Sequence, residues 1–223
     1  MPRGKYVRTK KNHNFIDRTG ETKTMNNGLK ATITEYQSAN NMTIQFENGA
    51  VTRHKAYNEF QRGRIKCPML YEPIDDYIKC TNPNTGLVFL IDKDDLNKIQ
   101  ERYWSNNGSH VCSGHNSLLI HRFIMNCPKG MVVDHINCNP LDNRKSNLRI
   151  CTITENNRNT KIMRNNKSGY KGVSWDKYMK KWVAFIRINN KSKSLGYFNT
   201  PELAHAAYCA AAKEHFGEFA RFA

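Results

Sequence analysis

Lys181–Ile188 alternates without a break: Trp182, Ala184, Ile186 and Ile188 fall at one parity, Lys181, Val183, Phe185 and Arg187 at the other. Successive strand side chains point to opposite faces, so this period of two specifies a strand covered on one side and open on the other. Residues 170–175 and 193–198 also read as strands, which makes a three-stranded antiparallel sheet. Thr200 and Pro201 then open a helix as N-cap and first helical residue. Leu203, Ala206, Ala207, Ala210 and Ala211 form its apolar face at helical spacing, and Gly217 stops it. Such a small-residue helix is expected to cover the tryptophan, alanine and isoleucine face closely. The other face is left open and basic.

Between residues 164 and 199 nine bases, Arg164, Lys171, Lys181, Arg187 and Lys193 among them, oppose one acid, Asp176. The whole chain of 223 residues carries +16. A surplus of that size points to a polyanionic partner, double-stranded DNA first. A sheet of this kind can lie in the major groove, where phosphate contacts set register and alternate side chains reach base edges. The competing reading is a solvated charged face; Trp175 beside the bias favours DNA.

Only 39% of residues are apolar and mean hydropathy is −0.73, so several small cores are expected rather than one large one. No apolar run approaches the roughly 18 residues that cross a bilayer, and no export-type stretch opens the chain. The expectation is a cytoplasmic protein with no membrane partner. The seven cysteines (67, 80, 112, 127, 138, 151, 209) are scattered, with no Cys-x-x-Cys and no cluster at zinc spacing. They read as reduced thiols, and no zinc is expected.

Residues 1–24 carry Arg3, Lys5, Arg8, Lys10, Lys11, Arg18 and Lys23 against Asp17 and Glu21, and read as a flexible basic arm. Residues 25–70 read as a small β-meander: 32–36, 42–47 and 50–53 are strand-like, and Asn48-Gly49 favours a type I′ hairpin between the last two. Residues 71–120 turn acid-rich. There 87–91 reads as a strand, and Asp92 is placed to cap a helix from 93 to about 102, with Leu96 and Ile99 on one side. Residues 118–125 resume an apolar run.

Val132-Val133 leads by strand propensity into Asp134-His135, and Leu148-Arg149-Ile150 can pair with it across a polar loop. Thr152 to Glu155 fits the capping box, which starts a helix with Asn156 in its first or second turn. A hairpin followed by that helix brings Asp134, His135 and Asn156 together. The Asp carboxylate and Asn amide oxygen are hard ligands that suit Mg²⁺. A neutral histidine beside them can take a proton from water. Taken singly, each residue reads as well as a turn, a cap or a satisfied polar contact. The joint spacing reverses this: Asn147 lies twelve residues after His135, and Asn156 nine further on.

Residues 118–159 resemble the HNH nuclease family, the ββα-metal fold, including the leading His121-Arg122 and the Asp142-Asn143-Arg144 loop. The resemblance implies Asp134 as a metal ligand, His135 as general base, Asn147 as the brace of the base-orienting loop and Asn156 as second ligand. The third family position is Asn here rather than His. It also implies Mg²⁺, with Mn²⁺ as an alternative, near the scissile phosphate. His121 and Arg122 either contact that phosphate or form a strand-end polar pair.

Residues 166–222 resemble the APETALA/ethylene-response-factor DNA-binding domain. The match rests on Tyr170-Lys171-Gly172-Val173, residues 181–187, Leu195-Gly196-Tyr197-Phe198 and Ala206-Ala207-Tyr208. The base-reading positions of plant members correspond to Lys171, Ser174, Arg187 and Ser194, so two of them are serines here. Trp175, Lys181 and Lys193 add to the DNA-binding set. HNH nucleases fused to such a domain are typical of free-standing homing-type endonucleases of phages and mobile elements.

The expected protein is therefore α+β. Its parts are a basic arm (1–24), a β-domain (25–70), an HNH core (71–164) and a C-terminal sheet packed on one helix (165–223). The expected activity is metal-dependent DNA cleavage by a monomer, in a bacterial host cell if phage-encoded. The alternative is a DNA-binding regulator with a degenerate core, against which the intact Asp134, His135, Asn147 and Asn156 argue.

Overall fold

The computed structural model describes residues 16–114, 118–162, 165–189 and 191–222. Two compact units divide them: the residues up to 88 together with 103–105, and residues 89–102 together with those from 106 onward. No helix among the described residues is long and apolar enough to cross a membrane.

The first unit is a four-stranded antiparallel meander, β1 (Thr22–Thr24), β2 (Lys30–Ser38), β3 (Asn41–Phe46) and β4 (Val51–Lys55) in that order. Its inward parity pairs Ala31 with Phe46 and Ile33 with Ile44. Those four side chains, with Met25, Met42, Ile65, Cys67 and Phe60 of helix α1 (Tyr57–Gln61), form its core. Arg3, Lys5, Arg8, Lys10 and Lys11 of the basic arm lie outside the described residues. Thr22–Thr24, read as the end of that arm, pair with β2 instead, and Arg18 stacks 4.1 Å over the Tyr57 ring.

The β3–β4 turn is not type I′. That form needs positive φ at both central residues, and only Gly49 (φ +84) has it. Gly49 N–H donates to the Phe46 carbonyl and Phe46 N–H to that of Ala50, a three-residue loop in which one glycine supplies the twist. A three-stranded sheet follows, with β5 (Leu70–Ile74), β6 (Tyr77–Asn82) and β7 (Leu87–Asp92) in that order.

The chain enters the second unit along β7 (Leu87–Asp92). A 3₁₀ turn (Lys93–Asp95) and a five-residue helix, α2 (Leu96–Gln100), replace the single helix expected over 93–102. Asp92 makes no side-chain cap; its carboxylate accepts the Lys145 N–H at 2.7 Å. That long-range bond outcompetes the local one and ties β7 to the later loop. After β8 (Ser105–Asn106), β9 (Val111–Ser113) and β10 (Leu118–Leu119), residues Ile120–Ile124 turn into helix α3. His121-Arg122 therefore lies on a helix and is not a strand-end pair.

The hairpin β11 (Val132–His135) with β12 (Leu148–Cys151), followed by α4 (Ile153–Arg158), forms where the spacing placed it. Thr152 and Glu155 make the reciprocal capping box.

The C-terminal sheet runs β13 (Val173–Asp176), β14 (Lys181–Ile188), β15 (Lys191–Phe198), antiparallel throughout, and α5 (Pro201–Phe216) packs on it. Thr200 caps α5 through Leu203 N–H, with Pro201 in the first turn. The buried face of α5 is Ala204, Tyr208, Ala212 and Phe216, rather than the Leu203 and Ala206 phase. Leu203 is 55% exposed. Alanines surround this helix, so they do not decide its rotation; the two large rings do. Tyr208 lies flat against Gly172 (φ +73), where any Cβ would overlap the tyrosine ring.

Candidate active site and DNA-binding face

Register sets the first contact. Asp134 on β11 faces Arg149 on β12, and Arg149 Nε and Nη2 donate to Asp134 Oδ2 at 2.9 and 2.7 Å. Cross-strand partners of opposite charge attract, and here both are largely buried. Asn159, at the C-cap of α4, brings Nδ2 within 2.9 Å of Asp134 Oδ1 and 3.0 Å of Oδ2, and within 3.0 Å of the His135 carbonyl. Asp134 Oδ2 is thus crowded with donors, whereas Oδ1 has one partner among the described hydrogen bonds.

His135 ends β11, 7% exposed, and its Nε2 lies 3.2 Å from Asn143 Oδ1. An amide oxygen only accepts, so Nε2 carries the proton and Nδ1 the free lone pair. Asn143 is fully buried and donates to the Pro140 carbonyl. The loop that presents it is tied to β7: Leu90 N–H donates to the Leu141 carbonyl and Asn143 N–H to that of Leu90.

Asn147 closes the same loop from inside. Its Oδ1 accepts the Asn137 N–H at 2.9 Å and its Nδ2 donates to the Asp142 carbonyl at 2.8 Å. Asp142 chelates Arg144 through both oxygens, each at 2.8 Å, and these bonds hold its carboxyl below the usual carboxylate range.

Asp134, His135, Asn156 and Asn159 open on one cleft of about 330 Å³, bordered by His110, Pro140 and Lys161. Asn157, one residue from Asn156, faces a different cleft, lined by Phe185 and Tyr208. The donor set fits a divalent ion. Oδ1 of Asp134 keeps acceptor capacity and the Asn156 amide shares the opening, both hard oxygen ligands of the kind Mg²⁺ takes along with water.

Three histidine rings meet beside this cleft. His110 and His121 have centroids 5.0 Å apart, His121 and His135 also 5.0 Å. Burial lowers the pKa of all three. For His121 it acts with repulsion from His135, His110 and Arg122, and the value falls to about 3. At His135 the Asn143 hydrogen bond and the nearby Asp134 and Asp142 charges pull back upward. On balance its pKa stays below the ordinary histidine value, which favours the neutral imidazole. Arg122 donates from Nη1 to the Met131 carbonyl at 2.7 Å and from Nη2 to Pro128 at 3.3 Å, which holds the loop leading into β11.

On the C-terminal sheet the pairing puts Ser174, Lys181, Arg187 and Ser194 at the parity of the open face, together with Phe185 and Tyr197. Trp175 pairs with Trp182, and Lys193 with Ile186, at the opposite parity, where both remain exposed. Lys171 lies away from this group. Its Nζ donates to the carbonyls of Arg158 (2.8 Å) and Thr160 (2.7 Å) at the end of α4, and burial, with Arg221 nearby, lowers its pKa to about 8. Arg164 lies outside the described residues.

The roles of Arg149 and Asn159, the position of His110 beside the cleft and the bond from Asn143 to His135 were not read from the sequence, where Asn143 stood only within the Asp142-Asn143-Arg144 loop. Asn159 follows Asn156 by one helical turn, which is the single local cue any of them carries. The others act across long sequence separations.

Residues 126–158 match the HNH endonuclease family model, and residues 168–218 match the AP2 domain model. Protein 3.8 of Escherichia phage T7 is 36% identical over 95 residues, covering 43% of this chain and 78% of that protein. An uncharacterized HNH endonuclease of Acanthamoeba polyphaga mimivirus is 33% identical over 124 residues, covering 53% of this chain but only 64% of its own length. No solved structure matches. The ββα hairpin with its Asp-His pair and the three-stranded sheet on α5 fall inside the two matched segments. The chain therefore carries an HNH endonuclease domain, that of a DNA nuclease, followed by an AP2 DNA-binding domain.

Proposed function

We propose that the chain is a metal-dependent, homing-type endonuclease that hydrolyses phosphodiester bonds of double-stranded DNA as a monomer. The observation that carries this reading is the meeting of Asp134, His135 and Asn156 at one cleft, with His135 oriented by Asn143.

In this reading His135 Nδ1 takes the proton of a water in line with the scissile phosphorus, while Nε2–H stays on Asn143. Asp134 and Asp142 steady the imidazolium that forms. Asp134 and Asn156 hold Mg²⁺, or Mn²⁺ in its place. When bound, that ion supplies charge neutralisation at the phosphate oxygens and the leaving oxygen. Asn147 keeps the base-bearing loop in register. Arg122 and His121 act as positioning residues, one holding the carbonyls before β11 and the other packing on the His135 ring.

Residues 165–223 grip the duplex through Ser174, Lys181, Arg187 and Ser194, with Trp175 and Lys193 at the margin, while Lys171 stays on the carbonyls at the end of α4. Residues 71–164 cut, and residues 1–24 and 25–70 add backbone contacts. The phage relative supports the cytoplasm of an infected bacterial cell as the place of action.

Incubating supercoiled plasmid with the protein in Mg²⁺, in Mn²⁺ and in EDTA tests the proposal. Nicked or linear product with either metal and none with EDTA is expected. Cleavage that survives EDTA, or no cleavage with either ion, overturns it.

A further inference from the structure

The three histidines beside the cleft come from three separate segments: His110 from the turn before β9, His121 from α3 and His135 from β11. One donor nitrogen of each lies within 4.8 Å of the others. His121 is 4% exposed, and its Nδ1 has no hydrogen-bond partner among the described residues. Buried polar atoms are rarely left so, and an orphan of this kind calls for an explanation. His135 already carries the outer contact common to metal-binding imidazoles, its Nε2–H held by a buried acceptor while Nδ1 stays free.

The composition of the set sorts the ions. All three donors are imidazole nitrogens, which suit Zn²⁺, Co²⁺, Ni²⁺ and Cu²⁺, whereas Mg²⁺ takes oxygen. Tetrahedral zinc has Zn–N bonds of about 2.0–2.1 Å, hence nitrogens roughly 3.4 Å apart. Ring movements of about an ångström close the triangle to that size. His110 and His135 also border the cleft, which provides an entry path and room for a fourth ligand.

We propose that His110, His121 and His135 form a nitrogen-only site for a Zn²⁺-type ion, separate from the oxygen donors Asp134 and Asn156, and that filling it silences the nuclease. His135 Nδ1 cannot hold an ion and accept a proton at once. The silencing rests on the base role proposed for His135; the binding does not.

Full-length protein stripped with chelator and then dialysed free of it would be titrated with Co²⁺, followed by its visible absorption, and with Zn²⁺ by equilibrium dialysis. One ion per chain is expected, bound at least about tenfold more weakly by His110→Gln and by His121→Gln. His110→Gln is the variant less exposed to misfolding, because that ring is only half-buried. Millimolar Mg²⁺ should leave the Co²⁺ spectrum unchanged. No ion bound by wild type, or equal binding by wild type and His110→Gln, overturns the site. In plasmid cleavage supported by Mg²⁺, micromolar Zn²⁺ should stop wild type and leave His110→Gln active. Wild type that binds zinc at the triad yet cuts at full rate overturns the silencing. A protein that never cuts in Mg²⁺ counts against the nuclease proposal and leaves the binding result standing on its own.

Discussion

Arg149 and Asp134 form a buried cross-strand pair in which the arginine reaches two ways: Nε and Nη2 to Asp134 Oδ2, and Nη1 to the Glu218 carbonyl at 2.6 Å. The Phe219 ring lies 3.9 Å from the guanidinium carbon. The AP2 end of the chain therefore touches the residue that orients the proposed metal ligand. Removing Arg149 leaves an uncompensated buried carboxylate, so Arg149→Ala should destabilise by about 3–5 kcal/mol in urea unfolding. A loss under about 1 kcal/mol would show that Asp134 does not depend on it. Deleting residues 166–223 takes Glu218 and Phe219 away, so the remaining core should melt earlier than its upstream strands and helix alone suggest.

His135→Ala should lower the single-turnover cleavage rate by roughly 10²–10⁴-fold while DNA affinity barely changes. Burial already sets the His135 pKa below its ordinary value, so the acid limb of the pH–rate profile should fall below pH 6.5. The Asn143 bond raises that pKa, and Asn143→Ala should move the limb to still lower pH with a reduced plateau rate. An unmoved limb would mean that Asn143 does not hold the base.

Asn156 and Asn159 should separate binding from stability. Asn156→Ala removes the proposed ligand oxygen from the cleft wall and should raise the Mg²⁺ concentration needed for half-maximal cleavage, with little change in melting. Asn159 Nδ2 instead ties Asp134 to the His135 and Ile136 carbonyls, and Asn159→Ala should melt measurably earlier. Paired metal titrations and thermal melts decide, and the reverse pattern would exchange the two roles.

Histidine burial makes a prediction about pH and stability. His121 has a folded-state pKa near 3 against 6.5 unperturbed, so below pH 6.5 the unfolded chain binds a proton that the folded one refuses. The stability attached to this group is complete above pH 6.5 and drains away as the pH falls toward 3. Urea midpoints of wild type and His121→Gln at pH 7.5 and 4.5 should show a smaller acid loss in the variant. Equal losses would assign the acid sensitivity to other groups.

Lys171 and Arg187 belong to the same basic segment but should answer differently to salt. Arg187 is exposed on the open sheet, and Arg187→Ala should reduce the slope of log K against log salt by about 0.9 if it meets a phosphate. If it reads a base edge, one position of the target loses about 1–3 kcal/mol of discrimination. Lys171 is engaged with the α4 carbonyls, so Lys171→Ala should cost stability and leave the salt slope alone. Filter binding at several salt concentrations distinguishes these outcomes.

Much of this protein is written in short-range patterns. The parity of Lys181–Ile188 set both faces of the C-terminal sheet, the Thr152–Glu155 box set the start of α4, and the spacing of Asp134, His135, Asn147 and Asn156 marked the ββα core. Each signal spans about a turn or a strand, where backbone geometry and capping chemistry act without help from the rest of the chain. Tertiary structure decided what those patterns leave degenerate. An alanine-rich helix has no preferred face until Tyr208 and Phe216 find the sheet, and a lysine counts as a DNA contact until two carbonyls claim it. Arg149 on Asp134, Asn143 on His135 and the meeting of His110 with His121 depend on which loops close over which strands. Those pairings are set by packing between distant segments, and no local periodicity carries them.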